Sequence, residues 1–165
     1  MEQDELIVGW IALVPMEAKS IAVLMGETND ATSMFVNMHQ NVMVPENILP
    51  FTPEEAKNVF LTIGVRQGLP RSKAYGMKLV SGGYEVLKNF ARNGIIVEKL
   101  YATSRTPDGV RLCRDLGFQE KENNATSAVK RFWLDLEAAT SPLLREYQEI
   151  VRKQRTKQNG HKITN

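Results

Sequence analysis

The sequence predicts a single α/β domain, because short apolar runs that are typical of strands alternate with segments of helical periodicity. Residues 59–65 form an apolar, β-branched run that ends near glycines and a proline, which predicts a buried strand. From residue 74 to 91, apolar side chains recur every three or four positions before Asn93-Gly94, which predicts an amphipathic helix. Residues 95–104 predict a second strand. This order indicates a parallel pair joined by a right-handed crossover.

The turn between the first of these strands and its helix is suited to binding an anion. Arg71 and Lys73 lie at the junction, where the first helix amides lack intrahelical partners and the helix dipole is positive. Ligands of open α/β sheets bind beyond the carboxyl ends of the strands, where this turn is expected. Within the helix, Gly82 and Gly83 each cost about 1 kcal/mol relative to alanine, which predicts a close backbone approach.

The segments before this unit are less regular. Residues 6–14 are a continuous apolar run closed by a proline, which predicts a central strand. Residues 17–25 carry a short helical pattern that ends at Gly26. Residues 29–58 fit a short helix, a strand or a loop, and the sequence leaves these alternatives open.

The segments after the unit carry clearer signals. Thr106, Pro107 and Asp108 provide an N-cap, a first-position proline and a first-turn acid, so a helix is expected over residues 107–116. Residues 129–137 alternate apolar and polar side chains, which predicts a half-buried strand. An apolar stripe at helical spacing then predicts a last helix, ending near residue 151.

Length and composition favour one globular domain. The chain has 165 residues, 42% hydrophobic and 24% charged, and we assign residues 1–151 to one domain and 152–165 to a basic, flexible tail. One cysteine excludes an intrachain disulfide, and two histidines offer no metal-ligand spacing, so neither a metal nor an oxidising compartment is expected. No apolar run reaches the roughly 20 residues of a membrane span. We therefore expect a cytoplasmic protein with no membrane partner.

The distribution of charge bears on nucleic-acid binding. Twenty-one basic against 19 acidic residues give a net charge of +2, which argues against a nucleic-acid partner. The tail concentrates basic residues and leaves nucleic-acid binding as a third hypothesis, but it carries no aromatic residue for base stacking.

Two motifs in the expected order resemble one family. RSKAYG, residues 71–76, resembles the pyrophosphate loop Q/R-x-x-G-x-G/A of the Gcn5-related N-acetyltransferase (GNAT) superfamily, with Ala74 and Gly76 at the two glycine places. TPDGVRLCRDLGF, residues 106–118, is similar to the family pattern N-x-x-A-x-x-L-Y-x-x-x-G-F, with Cys113 at the tyrosine place. The resemblance covers about residues 59–137 and is that of an abbreviated or divergent member.

The resemblance implies a fold and a cofactor site. The fold would be a mixed, largely antiparallel twisted sheet with a parallel splayed pair at the cofactor site and helices on both faces. The cosubstrate would be acetyl-CoA or another acyl-CoA, with its pyrophosphate on the turn and its pantetheine arm along free strand amides. The cofactor-binding residues would be Ile63, Gly64, Val65, Arg71, Ser72, Lys73, Ala74, Tyr75, Gly76, Met77 and Thr106.

The catalytic groups are less clear from the resemblance. The implied reaction is direct attack of an amine on the acyl carbonyl in a ternary complex. The family often places a glutamate base near the first strand, yet residues 59–65 contain no ionisable side chain. Cys113 and Tyr101 are the candidate acids, although both residue types are commonly packing residues in such positions. Glu98, or Glu54 and Glu55, could act through water.

The leading hypothesis is therefore an acyl-CoA-dependent N-acyltransferase, and most simply an acetyltransferase. Only 58 residues precede the first strand of the unit, fewer elements than the family normally has, so the acceptor amine cannot be read from them. The alternative is a catalytically degenerate relative that serves as a CoA-binding or protein-interaction module. The oligomeric state stays open, a homodimer included.

Overall fold

The computed structural model describes residues 8–27, 48–66, 68, 70–122 and 129–161, with the backbone alone for 158–161. The elements are strands β1 (Gly9–Pro15), β2 (Asn58–Val65), β3 (Lys99–Ser104), β4 (Gln119–Glu120) and β5 (Lys130–Asp135), and helices α1 (Ala18–Leu24), α2 (Ser72–Arg92), α3 (Pro107–Asp115) and α4 (Arg145–His161). A 3-10 turn, Pro142–Leu144, leads into α4. In the described part of the chain, no helix is both long and apolar enough to cross a bilayer.

The five strands form one mixed sheet in the order β1-β2-β3-β5-β4. β2 and β3 are parallel, and the other three neighbouring pairs are antiparallel. This confirms the predicted α/β class and the largely antiparallel sheet with one parallel pair. The second strand of that pair starts at Lys99 rather than at residue 95, because residues 95–98 connect α2 to the sheet and bury Val97.

β1 stands first in the described sheet order, but on the side away from β2 Leu49 donates its N–H to the carbonyl oxygen of Pro15. The central place predicted for this strand stays a prediction. Helices pack against both faces of β1, although Trp10 near its start is 49% exposed. Ile11 contacts α2 at Gly83, and Val14 packs against the cluster that contains α1 residues Ile21 and Leu24. A strand covered by helices on both faces is apolar throughout, whatever its place in the sheet.

Helices lie on both faces of the sheet, as predicted. Alternate residues of each strand divide between two cores. On β3, Leu100 and Ala102 join the larger core, which contains residues of α2, α3 and α4, whereas Tyr101 packs with the smaller core around α1. We call these two sides the α2 face and the α1 face. Phe132 and Leu134 of β5 likewise lie on the α2 face, and Trp133 lies on the α1 face.

The two adjacent glycines of α2 have different roles. A Cβ atom built on Gly83 would lie 2.7 Å from Cδ1 of Ile11, so this position requires the close approach that was predicted. A Cβ on Gly82 would meet nothing within 4 Å, so the same prediction for Gly82 was wrong.

The predicted boundary of a flexible tail at residue 152 lies inside α4, which continues to His161. Gln154 donates a hydrogen bond of 2.7 Å from Nε2 to the carbonyl oxygen of Arg92, and Arg155 forms an ion pair with Glu137. Upstream, Tyr147 is 1% exposed and donates to the carbonyl oxygen of Val97 at 2.6 Å. These contacts hold the helix against α2 and the end of β5, which explains why it extends past the predicted end.

The structure describes residues 48–58 of the segment 29–58, for which the sequence left a helix, a strand and a loop open. Ile48 forms an antiparallel bridge with Met16, and a turn over residues 53–57 leads into β2. Residues 28–47 lie outside the described part of the chain, as do the first two residues of the run predicted as a strand over 6–14.

Candidate functional site: the cleft between β2 and β3

The parallel pair is joined at one end only. β2 and β3 pair over three positions, Asn58 with Lys99, Val59 with Leu100, and Phe60 with Tyr101. Both strands continue beyond this, β2 to Val65 and β3 to Ser104, with no further pairing between them. The carboxyl ends of the two strands therefore diverge and leave a cleft, which is the splayed pair that the resemblance implied.

The hydrogen-bond pattern shows which amides of β2 face this cleft. Arg66 donates its N–H to the carbonyl oxygen of Val8, and the carbonyl oxygen of Asn58 accepts from Met16, so even-numbered residues point toward β1. The N–H and C=O of one strand residue point to the same side, and successive residues alternate. The amides of Ile63 and Val65 therefore point into the cleft, whereas that of Gly64 points toward β1. Of the three residues predicted here, two present free donors.

α2 begins at the same edge of the sheet and has an open first turn. Its N-cap residue, Arg71, has a left-handed backbone with φ 67°, and no side chain caps the helix. Ala74 and Tyr75 both donate to the carbonyl oxygen of Arg71. The N–H groups of Ser72 and Lys73 have no acceptor among the described residues, and the first turn contains no acid. Two backbone donors and two cations thus meet where the helix dipole is positive.

The remaining predicted residues of this turn differ in exposure. Gly76 is buried beneath the end of β2, and a Cβ there would lie 3.9 Å from Cγ2 of Val65, which is ordinary contact. Tyr75 is half-buried and Met77 is 41% exposed. The turn therefore offers donors and cations at residues 71–73 and packing at 75–76.

α3 also begins at this edge, but its first turn is occupied. The hydroxyl oxygen of Thr106 accepts from the N–H of Gly109 at 3.1 Å, which makes Thr106 the N-cap. Pro107 has no N–H to offer, and Asp108 adds a carboxylate that pairs with Arg111 at 2.5 Å. The Thr106 hydroxyl therefore makes a capping contact, and the cofactor role expected for Thr106 stays a prediction.

The two candidate acids lie on opposite faces of the sheet. Cys113 is half-buried and packs against the core of the α2 face, where burial raises the pKa of its thiol to about 11. Tyr101 lies on the α1 face at the last paired position, and its hydroxyl donates to Oδ1 of Asn58 at 3.3 Å. Burial raises the pKa of Tyr101, and the negative charges of Glu27 and Asp135 raise it further. The two side chains therefore pack with different cores.

The carboxylates proposed as water-mediated bases lie at the other end of the sheet. Glu98 immediately precedes β3, and Glu54 and Glu55 precede β2, whereas the cleft opens at the carboxyl ends of both strands. At about 3.3 Å per strand residue, Glu98 is roughly 16 Å from Thr103 along β3. Glu98, Glu54 and Glu55 are therefore poor candidates for a base at the cleft.

Sequence reasoning missed two residues near this region. Glu27, which follows the end of α1, is close enough to Tyr101 to affect its pKa and binds Lys121 at 2.5 Å. Trp10 is paired with Gly64 across β1 and β2 and is 49% exposed. Neither has a local signal in the sequence, because both positions follow from long-range strand pairing.

Comparison with known proteins identifies no family model that matches the chain, and no curated protein matches its sequence. Several solved structures are similar to this chain at low identity and low TM-score. yncA of Salmonella typhimurium, a candidate acetyltransferase with its cofactor acetyl-CoA, is 12% identical over 80% of this chain and 97% of its own, with a TM-score of 0.40. smu.2055 of Streptococcus mutans is 16% identical over 76% and 99%, with a TM-score of 0.38.

A third structure is the ribosomal-protein-alanine N-acetyltransferase of Brucella melitensis, 14% identical over 74% of this chain and 96% of its own, with a TM-score of 0.34. Other matches are GNAT-family acetyltransferases. Identities and scores of this size do not decide the chain's reaction, so its function is derived from its own geometry.

Proposed function

We propose that this chain is an acyl-CoA-dependent N-acyltransferase, and most simply one that transfers acetyl from acetyl-CoA to an amine. The observation that carries the proposal is the open carboxyl half of the β2–β3 pair beside the uncapped start of α2. One edge of the sheet thus combines a slot lined by backbone donors with a separate site for an anion. A thioester cosubstrate with a pyrophosphate group requires both.

The residues present fit such a cosubstrate. The N–H groups of Ser72 and Lys73, with the charges of Arg71 and Lys73, would hold the pyrophosphate. The amides of Ile63 and Val65 point into the cleft at a spacing of about 6.6 Å and would bind amide and acyl oxygens of an extended arm. The carboxylate of Asp108 at the start of α3 disfavours an anion there, which directs the pyrophosphate to α2.

The proposed chemistry places few demands on ionisable side chains. Acetyl-CoA supplies an activated thioester. The ammonium form of the acceptor first loses one proton, the neutral nitrogen bonds to the acyl carbon, the carbon–sulfur bond breaks, and a second N–H proton passes to the sulfur, which gives an amide and the CoA thiol. An N–H of Ile63 or Val65 would stabilise the oxyanion that develops on the acyl oxygen. β2 has no ionisable side chain, so the proton of the ammonium would leave through water.

A catalytically degenerate CoA-binding module is the second candidate, and the arrangement of the acids favours it. Cys113 is held neutral in the core of the α2 face, and Tyr101 is bonded to Asn58 on the α1 face. Neither has a described partner that would make it a proton donor to a departing thiolate. Cofactor binding depends on other groups and would persist in such a protein.

Two measurements on the full chain separate the candidates. Isothermal titration with acetyl-CoA measures binding, and release of CoA thiol across a panel of primary amines, corrected for the rate without protein, measures turnover. An acyltransferase binds acetyl-CoA and releases thiol only when an amine is present. Binding without turnover supports the degenerate module, and absence of binding contradicts both.

A further inference from the structure

An exposed indole lies over the strand that lines the cleft. Trp10 of β1 is paired with Gly64 of β2. A Cβ atom built on Gly64 would lie 2.4 Å from Nε1 of Trp10, 2.7 Å from Cε2 and 3.1 Å from Cζ2, so the ring occupies the place where a side chain of residue 64 would be. Only glycine leaves room for it. The indole is nevertheless 49% exposed, so much of the ring is free to contact a ligand.

The indole flanks the mouth of the cleft on the α1 face. Strand alternation places Trp10 and Gly64 on the same side as Val14 and Phe60, which belong to the smaller core. Gly64 lies between Ile63 and Val65, whose amides point into the cleft. The ring therefore lies over the residue between the two N–H donors that are proposed to bind the pantetheine arm and the acyl oxygen.

The opposite side of the sheet is closed by packing. Beneath the cleft on the α2 face, Leu61 and Leu100 line a small apolar recess whose other wall is α2, with Val80, Tyr84 and Leu87. Val80, Tyr84 and Leu87 are buried and belong to the larger core. Among the described residues, the side left open to an acceptor amine is the α1 face, past Trp10.

We propose that Trp10 positions the acceptor by stacking on an aromatic ring that it carries, so that the acceptor class is a primary amine joined to an aromatic group by a short linker. This inference rests on the proposed function. The indole face attracts cations as well as rings. A cation–π contact with the reacting nitrogen would stabilise its ammonium form and oppose the loss of the proton that attack requires. Trp10 is therefore suited to contact the aromatic ring of the acceptor, while the amine points into the cleft.

The test compares two amines with the full chain and its Trp10→Ala and Trp10→Phe variants. The amines are 2-phenylethylamine and hexylamine, of similar length but with and without a ring, and the readouts are KM and kcat from CoA-thiol release. Trp10→Ala should lower kcat/KM for 2-phenylethylamine by about tenfold, mainly through KM, and that for hexylamine by less than about threefold. Trp10→Phe retains a ring and should stay within about threefold of the original chain for both amines.

Binding measurements and a matched control separate positioning from a structural effect. Titration should give the same acetyl-CoA affinity for all three proteins, and weaker binding of 2-phenylethylamine to the CoA complex of Trp10→Ala. Leu143, 47% exposed and located before α4, provides the control, and Leu143→Ala should leave the preference between the amines unchanged. If Trp10→Ala does not fold, as judged by circular dichroism, Trp10→Leu replaces it, since leucine keeps apolar bulk without a ring.

The outcomes distinguish this inference from the proposed function. Failure of the original chain to bind acetyl-CoA overturns both. Binding and turnover with no preference for 2-phenylethylamine, or a preference that survives loss of the ring at residue 10, overturns the role of Trp10 and leaves the transferase intact. Equal losses for both amines also overturn it, because they indicate a structural role.

Discussion

α2 and α3 both begin beside the cleft, but their first turns differ in whether a side chain caps the free N–H groups and in whether they contain an acid. α3 has a threonine cap, a proline without an N–H and a carboxylate, all supplied by residues 106–108. α2 has Arg71 with a left-handed backbone in the cap position, no capping side chain and no acid in its first turn. Both lie past the carboxyl ends of the same parallel pair. The two helices occupy similar places in the fold, so the proposed preference of an anion for α2 rests on the composition of the first turn.

The strained residue at the start of α2 sharpens this contrast. Arg71 is the one described non-glycine residue with positive φ, a conformation that costs roughly 1 kcal/mol or more. Glycine at this position would relieve the strain. Arginine there is a local cost to stability, which is consistent with a role in binding.

Reversal of the charge at residue 71 has the largest expected effect. Arg71→Glu places a carboxylate beside the proposed pyrophosphate and should weaken acetyl-CoA binding by about 50-fold, the equivalent of about 2–3 kcal/mol. Isothermal titration measures the affinity, and thermal unfolding should show little change in fold stability.

Two variants serve as controls for that result. Arg111→Glu makes the same reversal in α3 and should leave the affinity nearly unchanged. Arg71→Gly removes the charge and the backbone strain together, and should lower affinity while the protein becomes no less stable. Unchanged affinity in Arg71→Glu would contradict the assignment of the pyrophosphate to α2.

The next largest effects are expected on stability, where alanine should be tolerated at Gly76 of α2 but not at Gly109 of α3. A Cβ on Gly109 would lie 2.3 Å from Oγ of Ser104, so Gly109→Ala is expected to lower the free energy of unfolding by about 1–3 kcal/mol. Gly76→Ala meets only Val65 at contact distance and should be neutral or stabilising by up to about 1 kcal/mol. Urea unfolding followed by circular dichroism tests both, and a larger loss in Gly76→Ala would refute the described packing.

Removal of the N-cap of α3 should cause a smaller loss of stability. Thr106→Ala removes the acceptor for the N–H of Gly109 and should lower the free energy of unfolding by about 1 kcal/mol. Thr106→Ser keeps the oxygen and should recover most of that stability. A drop in acetyl-CoA affinity for Thr106→Ala comparable to that of Arg71→Glu would mean that the two helix starts share the pyrophosphate.

Cys113 predicts the smallest effect on catalysis. Cys113→Ala should leave turnover within about twofold, because the pKa of about 11 keeps the buried thiol neutral and a poor acid. The raised pKa fixes the direction of the pH dependence of stability. The stability that the neutral thiol contributes is complete below its ordinary pKa, about 9, and is lost as pH rises toward 11. Stability of Cys113→Ala should therefore decline less between those values. A rate loss of tenfold or more would restore Cys113 as an acid.

Local patterns predicted the four helices and every described strand except the two-residue β4, but not the relations between distant segments. The apolar run of β1 packs against helices on both of its faces, at Gly83 of α2 and around Ile21 of α1, which are distant in the chain from each other. The length of α4 depends on Gln154 meeting Arg92 and Arg155 meeting Glu137, contacts that no local pattern reveals. Gly83 is required by Ile11, which is distant in the chain, whereas its neighbour Gly82 faces open space.

The same limit applies to the candidate site. The basic turn and its glycine are adjacent in sequence, so Arg71 and Gly76 could be identified from a short motif. Strand register decides the remainder. It determines that the amides of Ile63 and Val65, but not that of Gly64, face the cleft, and that Cys113 and Tyr101 lie on opposite faces.

Amide hydrogen exchange at the cleft tests the central claim most directly. In the free protein, the N–H groups of Ile63 and Val65 should exchange rapidly, and that of Gly64, bonded to β1, slowly. Addition of CoA should protect Ile63, Val65, Ser72 and Lys73 by about tenfold or more, and leave Gly109 at the start of α3 unchanged. Equal protection of Ile63, Gly64 and Val65 without ligand, or no change on addition of CoA, would contradict the account.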